Sequence, residues 1–430
     1  MPVTEAQAHA LVARFMQYYN YNTTLEAFQE EAAAYFTDPS QTSLPSNDLD
    51  TVLQAVSQLT LGEQRTVTLP PCDGHFCSTL HTTHDHWHGV NILTVSSEPT
   101  NNIVATSAID KTVKVHHLDG SQPAQVYRHH DAPVLSIAFH PAYTNLMLTT
   151  SMDGSAALVD LSRQNPDDAL VQRFRDHQRY VVQGVFSPST SPQHYLCTAS
   201  YDRTVRVYHW NDPDGDVHYQ SIGKVGPFAG NVESICFLPR SPVDAQDAQH
   251  MLVAVQNDNY LHVLSLQPQG VQLTRKINMN ANGDDWISFS PVWISMYPAA
   301  PTSSGAKDDR NDPLGSLVLV STNHSSGRMI LLDTTSGKQI QNYYVHPSNN
   351  EFLTRRHVFH PSGTCFYAIG SELDNAIKVV ETGSGQVVAS LTGHSAMIRS
   401  LTLHHDHLLT CGYDHTVKLW GEPFSQQNLR

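Results

Sequence analysis

The sequence is poor in charge, in cysteine and in long apolar runs, and each shortage removes a class of protein. Asp, Glu, Lys and Arg make only 15% of its 430 residues, well under the roughly 25% of an average globular chain. What charge there is runs acidic, 25 basic against 40 acidic side chains, for a net of −15. No run of Lys or Arg stands out, so the clustered positive charge that binds nucleic acids or anionic membranes is missing. Neither is expected as a partner. No stretch approaches the ~18 apolar residues of a spanning helix, and the N-terminal MPVTEAQAHALVARF lacks a secretory signal pattern. The six cysteines (72, 77, 197, 236, 365 and 411) are few, and four lie in apolar, strand-like runs. A reduced compartment, cytoplasmic or nuclear, is expected. The sequence also lacks a Gly-x-Ser-x-Gly elbow, a phosphate-binding Gly-Lys loop and an HExxH pair, so neither enzymatic activity nor a cofactor is expected.

What is present is a short helical segment followed by a repeat. Apolar residues reach 40%, and the length exceeds what one core holds, which leaves two domains or an array. Capping boxes at Thr4–Gln7 and Thr23–Glu26 open two helices. Leu11, Phe15 and Tyr19 follow the first at helical spacing, and Leu25, Phe28, Ala32 and Tyr35 follow the second. Asn20 and Asn22 suit the tight turn between them. Two helices this short cannot bury a core alone, so the apolar stripe needs a partner. The segment resembles a LisH motif, with Leu11, Tyr18, Tyr21, Thr24, Leu25, Phe28 and Glu31 on its pattern and Asn20 in place of its Gly. That resemblance implies homodimerisation through Leu11, Phe15, Tyr18, Tyr21, Leu25 and Phe28. The expected organisation is a hairpin over 1–40, a linker with one short amphipathic helix over 41–75, an array over 76–421 and a tail over 422–430.

The array declares itself by a turn followed by a strand. Asp110-Lys-Thr-Val-Lys-Val returns at Asp153, Asp202, Asp258, Asp374 and Asp414, with Ser326 standing for Asp in a seventh copy. The intervals are 43, 49, 56, 68, 48 and 40 residues. A histidine, then an aliphatic residue four positions later, precedes several copies: His86/Val90, His130/Val134, His177/Val181 and His394/Ile398. A core period in the low forties, with insertions, is the spacing of four-stranded propeller blades. Over residues 76–420 the sequence is similar to the WD-repeat family, and seven copies imply a mainly β, seven-bladed propeller. The last copy stops at Trp420, three strands into its blade, so Phe76–Thr82 is expected to supply the fourth strand and close the ring.

The family resemblance also implies a buried network in each blade, formed by His, Ser or Thr, the turn Asp and Trp. His177, Ser200, Asp202 and Tyr208 would make one, His394, Asp414 and Trp420 another, with His86 and His130 in the first two copies. These residues are read as structural, because buried polar groups must be paired. His81, His84, His86 and His88, with Cys72 and Cys77, superficially suit zinc. Strand alternation sends neighbours to opposite faces, so no metal site is expected. The family's upper-face loops place Trp87, His88, Arg179, Tyr180 and Met397 in one set of positions, and Ile109, Met152, Tyr201, Asn257 and Tyr413 in another. Those residue types dominate interface hot spots. A non-catalytic scaffold that binds proteins or peptide motifs is the reading that follows. The outline is also similar to the lissencephaly-type dynein regulators. A ubiquitin-ligase receptor is a second alternative, although neither Tyr208-His-Trp-Asn nor Trp420-Gly-Glu-Pro carries the Arg of the cullin-linked Trp-Asp-x-Arg pattern. A metal-dependent propeller hydrolase is the alternative from another class. The Pro-, Gly- and Ser-rich insertion at 297–316 reads as a loop.

Overall fold

A computed structural model describes residues 67–423, apart from 190, 192, 212–215, 240–247, 281–282, 284, 299–313, 346, 349, 351–353 and 372–373, together with the helical residues Ala13, Leu25 and Phe28. The chain divides into two units, Met1–Thr66 and Val67–Arg430. The hairpin, the helix expected at 48–61 and most of the 297–316 insertion lie outside the described residues.

The described residues of the second unit form seven four-stranded antiparallel sheets. Their first strands are Ile92–Glu98, Val134–Phe139, Val181–Phe186, Val232–Phe237, Pro291–Met296, His357–Phe359 and Ile398–His404, which define blades 1 to 7. Each first strand contacts the next, and that of blade 7 contacts that of blade 1, so these strands line the axis of a closed ring. The core lies between blades rather than within one sheet. Each of seven apolar clusters joins two neighbouring blades, ending with Leu409, Cys411 and Val417 of blade 7 against Ile92, Val95 and Val104 of blade 1. Second strands such as Leu146–Ser151 and Leu317–Thr322 are buried along their whole length, and each runs from an apolar start into Thr and Ser at the turn end.

The turn signal works through backbone conformation. The residue after the turn Asp or Ser has positive φ at Lys111, Gly154, Arg203, Gly327, Asn375 and His415, the geometry that a tight link between two twisted strands demands. The Asp side chain then accepts from the amide two residues on, as Thr112 N to Asp110 at 3.0 Å and Thr204 N to Asp202 at 3.0 Å.

Closure occurs as the truncated last copy implies. Thr79–His84 pairs antiparallel with Val417–Gly421 and completes blade 7. Upstream of that strand, Cys77 is buried, with its amide donating to Tyr367 Oη at 2.8 Å and its thiol to the Asp406 carbonyl at 3.0 Å.

Candidate interaction face

The hydrogen-bond network inside each blade decides which polar residues remain for other work. In blade 7, Trp420 Nε1 donates to Thr410 Oγ1 at 2.9 Å, Thr410 meets His394 Nε2 at 2.8 Å, and His394 Nδ1 meets Asp414 at 2.7 Å. Indole can only donate and the carboxylate only accept, so the proton order along the chain is set. Burial alone would raise the Asp414 carboxyl, but hydrogen bonds from His394 and Thr416 outweigh it and hold the group at about 2. Blades 2 and 3 repeat the arrangement with His130, Thr149 and Asp153 and with His177, Thr198 and Asp202. These His–Asp pairs are tied up inside blades.

Three expectations about this network need correction. In blade 3 the hydroxyl on His177 belongs to Thr198; Ser200 instead donates to the Arg179 carbonyl at 3.3 Å and accepts from the Asp202 amide. Tyr208, in the Trp place, turns its hydroxyl to Asp176 at 2.8 Å. In blade 1 the network histidine is His88, bonded to Thr106 at 2.9 Å, while the His86 side chain is 76% exposed. His86/Val90 and His88/Ile92 share the same spacing, and a two-residue shift keeps the strand face, so periodicity could not separate them. Burial, reinforced by Lys114, lowers His88 to about 4. Neither His88 nor Trp87 belongs to an exposed face. Trp87 is buried, stacked between His84 at 4.3 Å and His116 at 3.9 Å.

In an antiparallel blade, the turn between the second and third strands and the link to the next blade lie at the same end. Amides at that end are laced together: Ile109 N to Asn91 O, Met152 N to Pro133 O, Tyr201 N to Tyr180 O and Tyr413 N to Met397 O, all near 3 Å. These four turn residues therefore lie at that end of the ring. In blade 4 the equivalent donor is Gln256, to Asn231. One extra residue in that turn leaves Asn257 exposed at positive φ, bonded to Ser290. Arg179 and Tyr180 are exposed, and Tyr180 packs on the half-buried Tyr201 at 6.3 Å between ring centroids.

Of nine exposed large apolar side chains among the described residues, five stand at this end: Ile109, Tyr180, Trp286, Ile287 and Tyr344. The other four, Leu80, Leu273, Val387 and Val388, are on outermost strands. Trp286 is the most prominent at 76% exposed, with Ile287 at 52%. Sequence reasoning missed both, because their loop follows a degenerate copy without the histidine signal.

Beneath this face a charged cluster converges on the axis. In six blades the first strand bulges after its first residue. The bulged residues are Leu93, Leu135, Val182, Glu233, Val292 and Arg399, and Arg356 stands at the matching place before the first strand of blade 6. Bulges re-aim side chains. Glu233 accepts from Tyr201 Oη at 3.1 Å. Arg356 lies over the Trp293 ring at 4.7 Å and donates to Ser400 Oγ at 3.0 Å, while Arg399 lies over Tyr413 at 5.6 Å and donates to Thr354 Oγ1 at 2.5 Å. Burial and Glu233 raise the Tyr201 phenol, and the charges of Arg399 and Arg356 oppose that rise. Groups of blades 3, 6 and 7 thus act on one another across the ring.

Burial pushes Glu233 up to about 7, with the Tyr201 bond pulling weakly down. A carboxyl raised in the folded state binds more protons there than in the unfolded chain. Its contribution is complete below the ordinary value near 4.5 and is lost as pH rises through about 7. Glu233→Gln should abolish that loss, leaving the variant more stable than wild type at pH 8 by on the order of 2–3 kcal/mol and equal at about pH 4. Urea unfolding at the two pH values checks it; an unchanged difference would contradict the assignment.

The histidine-rich stretch does not converge. His81 Nε2 meets the Glu422 carbonyl at 3.0 Å, His84 stacks on Trp87, His86 faces solvent and His88 is inside blade 1. Among the described residues no three His, Cys, Asp or Glu side chains are grouped as metal ligands, and no helix is long and apolar enough to cross a membrane.

A family model described as "UCP007778, beta-propeller domain" matches residues 78–351, and one described as "WD domain, G-beta repeat" matches residues 385–421 in the last blades. Over 316 residues the chain is 22% identical to Nuclear distribution protein PAC1 of Candida albicans, covering 67% of this chain and 61% of that protein. It is 27% identical to Polyadenylation factor subunit 2 of Schizosaccharomyces pombe over 153 residues, 30% of this chain and 29% of that one. With Transcriptional corepressor LEUNIG_HOMOLOG of Arabidopsis thaliana it shares 26% over 183 residues, 41% and 21% of the two chains. The chain spans less than two thirds of the length of each of these curated relatives.

Proposed function

The chain belongs to the beta-propeller family whose model matches residues 78–351, and on that scaffold we propose a non-catalytic adaptor that binds partner proteins on the face bearing Trp286, Ile287 and Tyr180. The observation that carries this reading is the presence, among the described residues, of five exposed large aromatic and aliphatic side chains at one end of the ring, the most exposed being Trp286 at 76%. Large apolar groups in water are unfavourable by roughly 1.5–3 kcal/mol each, so an end of the ring that bears several is suited to burial against a partner. Arg179, Tyr201, Met397 and Tyr413 lie in the same set of loops and turns. The LisH-like segment would join two such rings, so a divalent partner would gain avidity without new contacts. A cytoplasmic or nuclear location fits the six free cysteines, four of them buried.

A second reading, regulation of a microtubule motor, is favoured by the extent of the match to the nuclear distribution protein, two thirds of this chain. Affinity purification with mass spectrometry separates the outcomes, comparing wild type with Tyr180→Ala/Trp286→Ala/Ile287→Ala after equal melting temperatures are confirmed. The triple variant should lose its specific partners at least tenfold, as loss of hot-spot aromatics predicts. An unchanged partner set would refute the proposed face, and recovery of dynein subunits would select the second reading.

A further inference from the structure

Arg356 and Arg399 are the least compensated charges on the axis. Each guanidinium has five N–H donors. Among the described residues their side-chain acceptors are one hydroxyl apiece, Ser400 for Arg356 and Thr354 for Arg399, and the buried Arg399 Nε meets no acceptor. Neither forms an ion pair with a carboxylate among the described residues. The nearby acid, Glu233, is engaged by Tyr201, and burial keeps it largely protonated up to about pH 7. Burial, then repulsion from Arg399, lowers Arg356 to about 10. Two like charges in a partly desolvated mouth are costly unless an anion joins them.

The surroundings hold both guanidiniums in place. The Trp293 ring lies against Arg356 and donates its own Nε1 to the His357 carbonyl at 3.1 Å, which holds the ring in place. Arg356 also lines a cleft between blades 5 and 6 with Arg328, Arg355, Met329 and Val345. Planar, prepositioned forks of this kind suit the oxygens of a phosphoryl group. In an acidic chain of net −15, such a local positive site is an exception that calls for a ligand.

We propose that Arg356 and Arg399 form a subsite for a phosphomonoester dianion carried on a peptide segment of the partner protein. The charge count favours the dianion: a phosphorylated side chain carries about −1.5 to −2 at pH 7, against −1 for a carboxylate. The inference rests on the protein-binding reading above and refines it, since the apolar loops would hold the segment and the arginine pair would select its modification.

The test uses the purified full chain and small probes, so it succeeds or fails independently of partner capture. Acetyl-Gly-phosphoSer-Gly-amide, inorganic phosphate and N-acetylglutamate are titrated at fixed ionic strength, with thermal stabilisation and tryptophan fluorescence as readouts. The phosphopeptide should bind saturably, at least tenfold more tightly than N-acetylglutamate. Arg356→Gln and Arg399→Gln should each weaken it tenfold or more, while the outer-strand variant Arg275→Gln leaves it unchanged. Trp293→Phe should remove the fluorescence response and also weaken the stabilisation, because the ring that holds Arg356 loses its bond to the His357 carbonyl. Should Arg356→Gln fail to fold, Arg399→Gln and the charge-keeping Arg399→Lys, expected to bind at an intermediate level, carry the test. Equal binding of N-acetylglutamate, binding of inorganic phosphate without the peptide, or retention of binding in Arg399→Gln would each overturn the proposal. Failure here with loss of partners in the triple face variant would leave the interaction face standing and remove only its phosphoryl selectivity.

Discussion

Deleting residues 72–84 should open the ring and remove most of its stability. The strand Thr79–His84 is the fourth strand of a blade whose other three strands come from the opposite end of the array. Its loss bares the edge of Val417–Gly421, a row of unpaired amides and carbonyls that templates aggregation. It also removes the buried Cys77 and the contacts of Cys72 and Phe76 with a cluster that includes Tyr367, Leu391, Ile398 and Trp420. Several ladder bonds at about 1 kcal/mol each, with three side chains at up to roughly 2 kcal/mol each, put the loss on the order of 5–10 kcal/mol. That matches the whole stability of a typical domain. Thermal unfolding and sedimentation velocity check it: a lower melting temperature and concentration-dependent association are expected. A truncated chain that melts like the full one would mean that the clasp is dispensable.

Asp414→Ala should be the most damaging single substitution in the blade networks, at about 3–5 kcal/mol, the usual penalty for breaking a buried pair. The His394 and Asp414 side chains are 1% and 3% exposed. The carboxylate also receives the amides of Ser395 and Thr416 at 3.2 Å and the Thr416 hydroxyl at 2.9 Å. Removing it strands several donors in a blade that already depends on a remote strand. Asp110→Ala is the contrasting case. Asp110 is 4.0 Å from His88 and 38% exposed, so its loss should cost about 1 kcal/mol or less. A carboxyl depressed to about 2 adds stability above its ordinary value near 3.8, and that stability is lost as pH falls through about 2. The gap between wild type and Asp414→Ala should therefore be constant from pH 5 to 8 and narrow below pH 4. Urea titrations at these pH values test it, and equal losses for the two aspartates would contradict the ranking.

Much of the architecture was legible because its causes are local. The turn Asp or Ser followed by a strand needs only about ten consecutive residues, and it located every blade. Where copies are ambiguous, the reading slipped by one or two residues. His86 stood in for His88 because both are followed four positions later by an aliphatic residue. Ser200 stood in for Thr198 because both hydroxyls precede Asp202 on the same strand face. Asn257 stood in for Gln256 because blade 4 has a longer turn. Trp87 is a loop aromatic by sequence, and its burial depends on His84 of the closing strand and on His116 of the third strand of blade 1.

By itself, then, the sequence determined the class, the number of blades and the manner of closure, since period-two alternation, turn spacing and a missing last strand are properties of neighbouring residues. Tertiary structure alone decided what meets at the axis. Tyr201 and Glu233 belong to blades 3 and 4, Arg356 and Arg399 to blades 6 and 7. Each sits in a copy that looks ordinary when read alone. Closing seven blades into a circle brings residues far apart in the chain within electrostatic reach, and bulges on the innermost strands turn their side chains together. No pattern within a single repeat encodes that meeting, because it depends on the angle between blades.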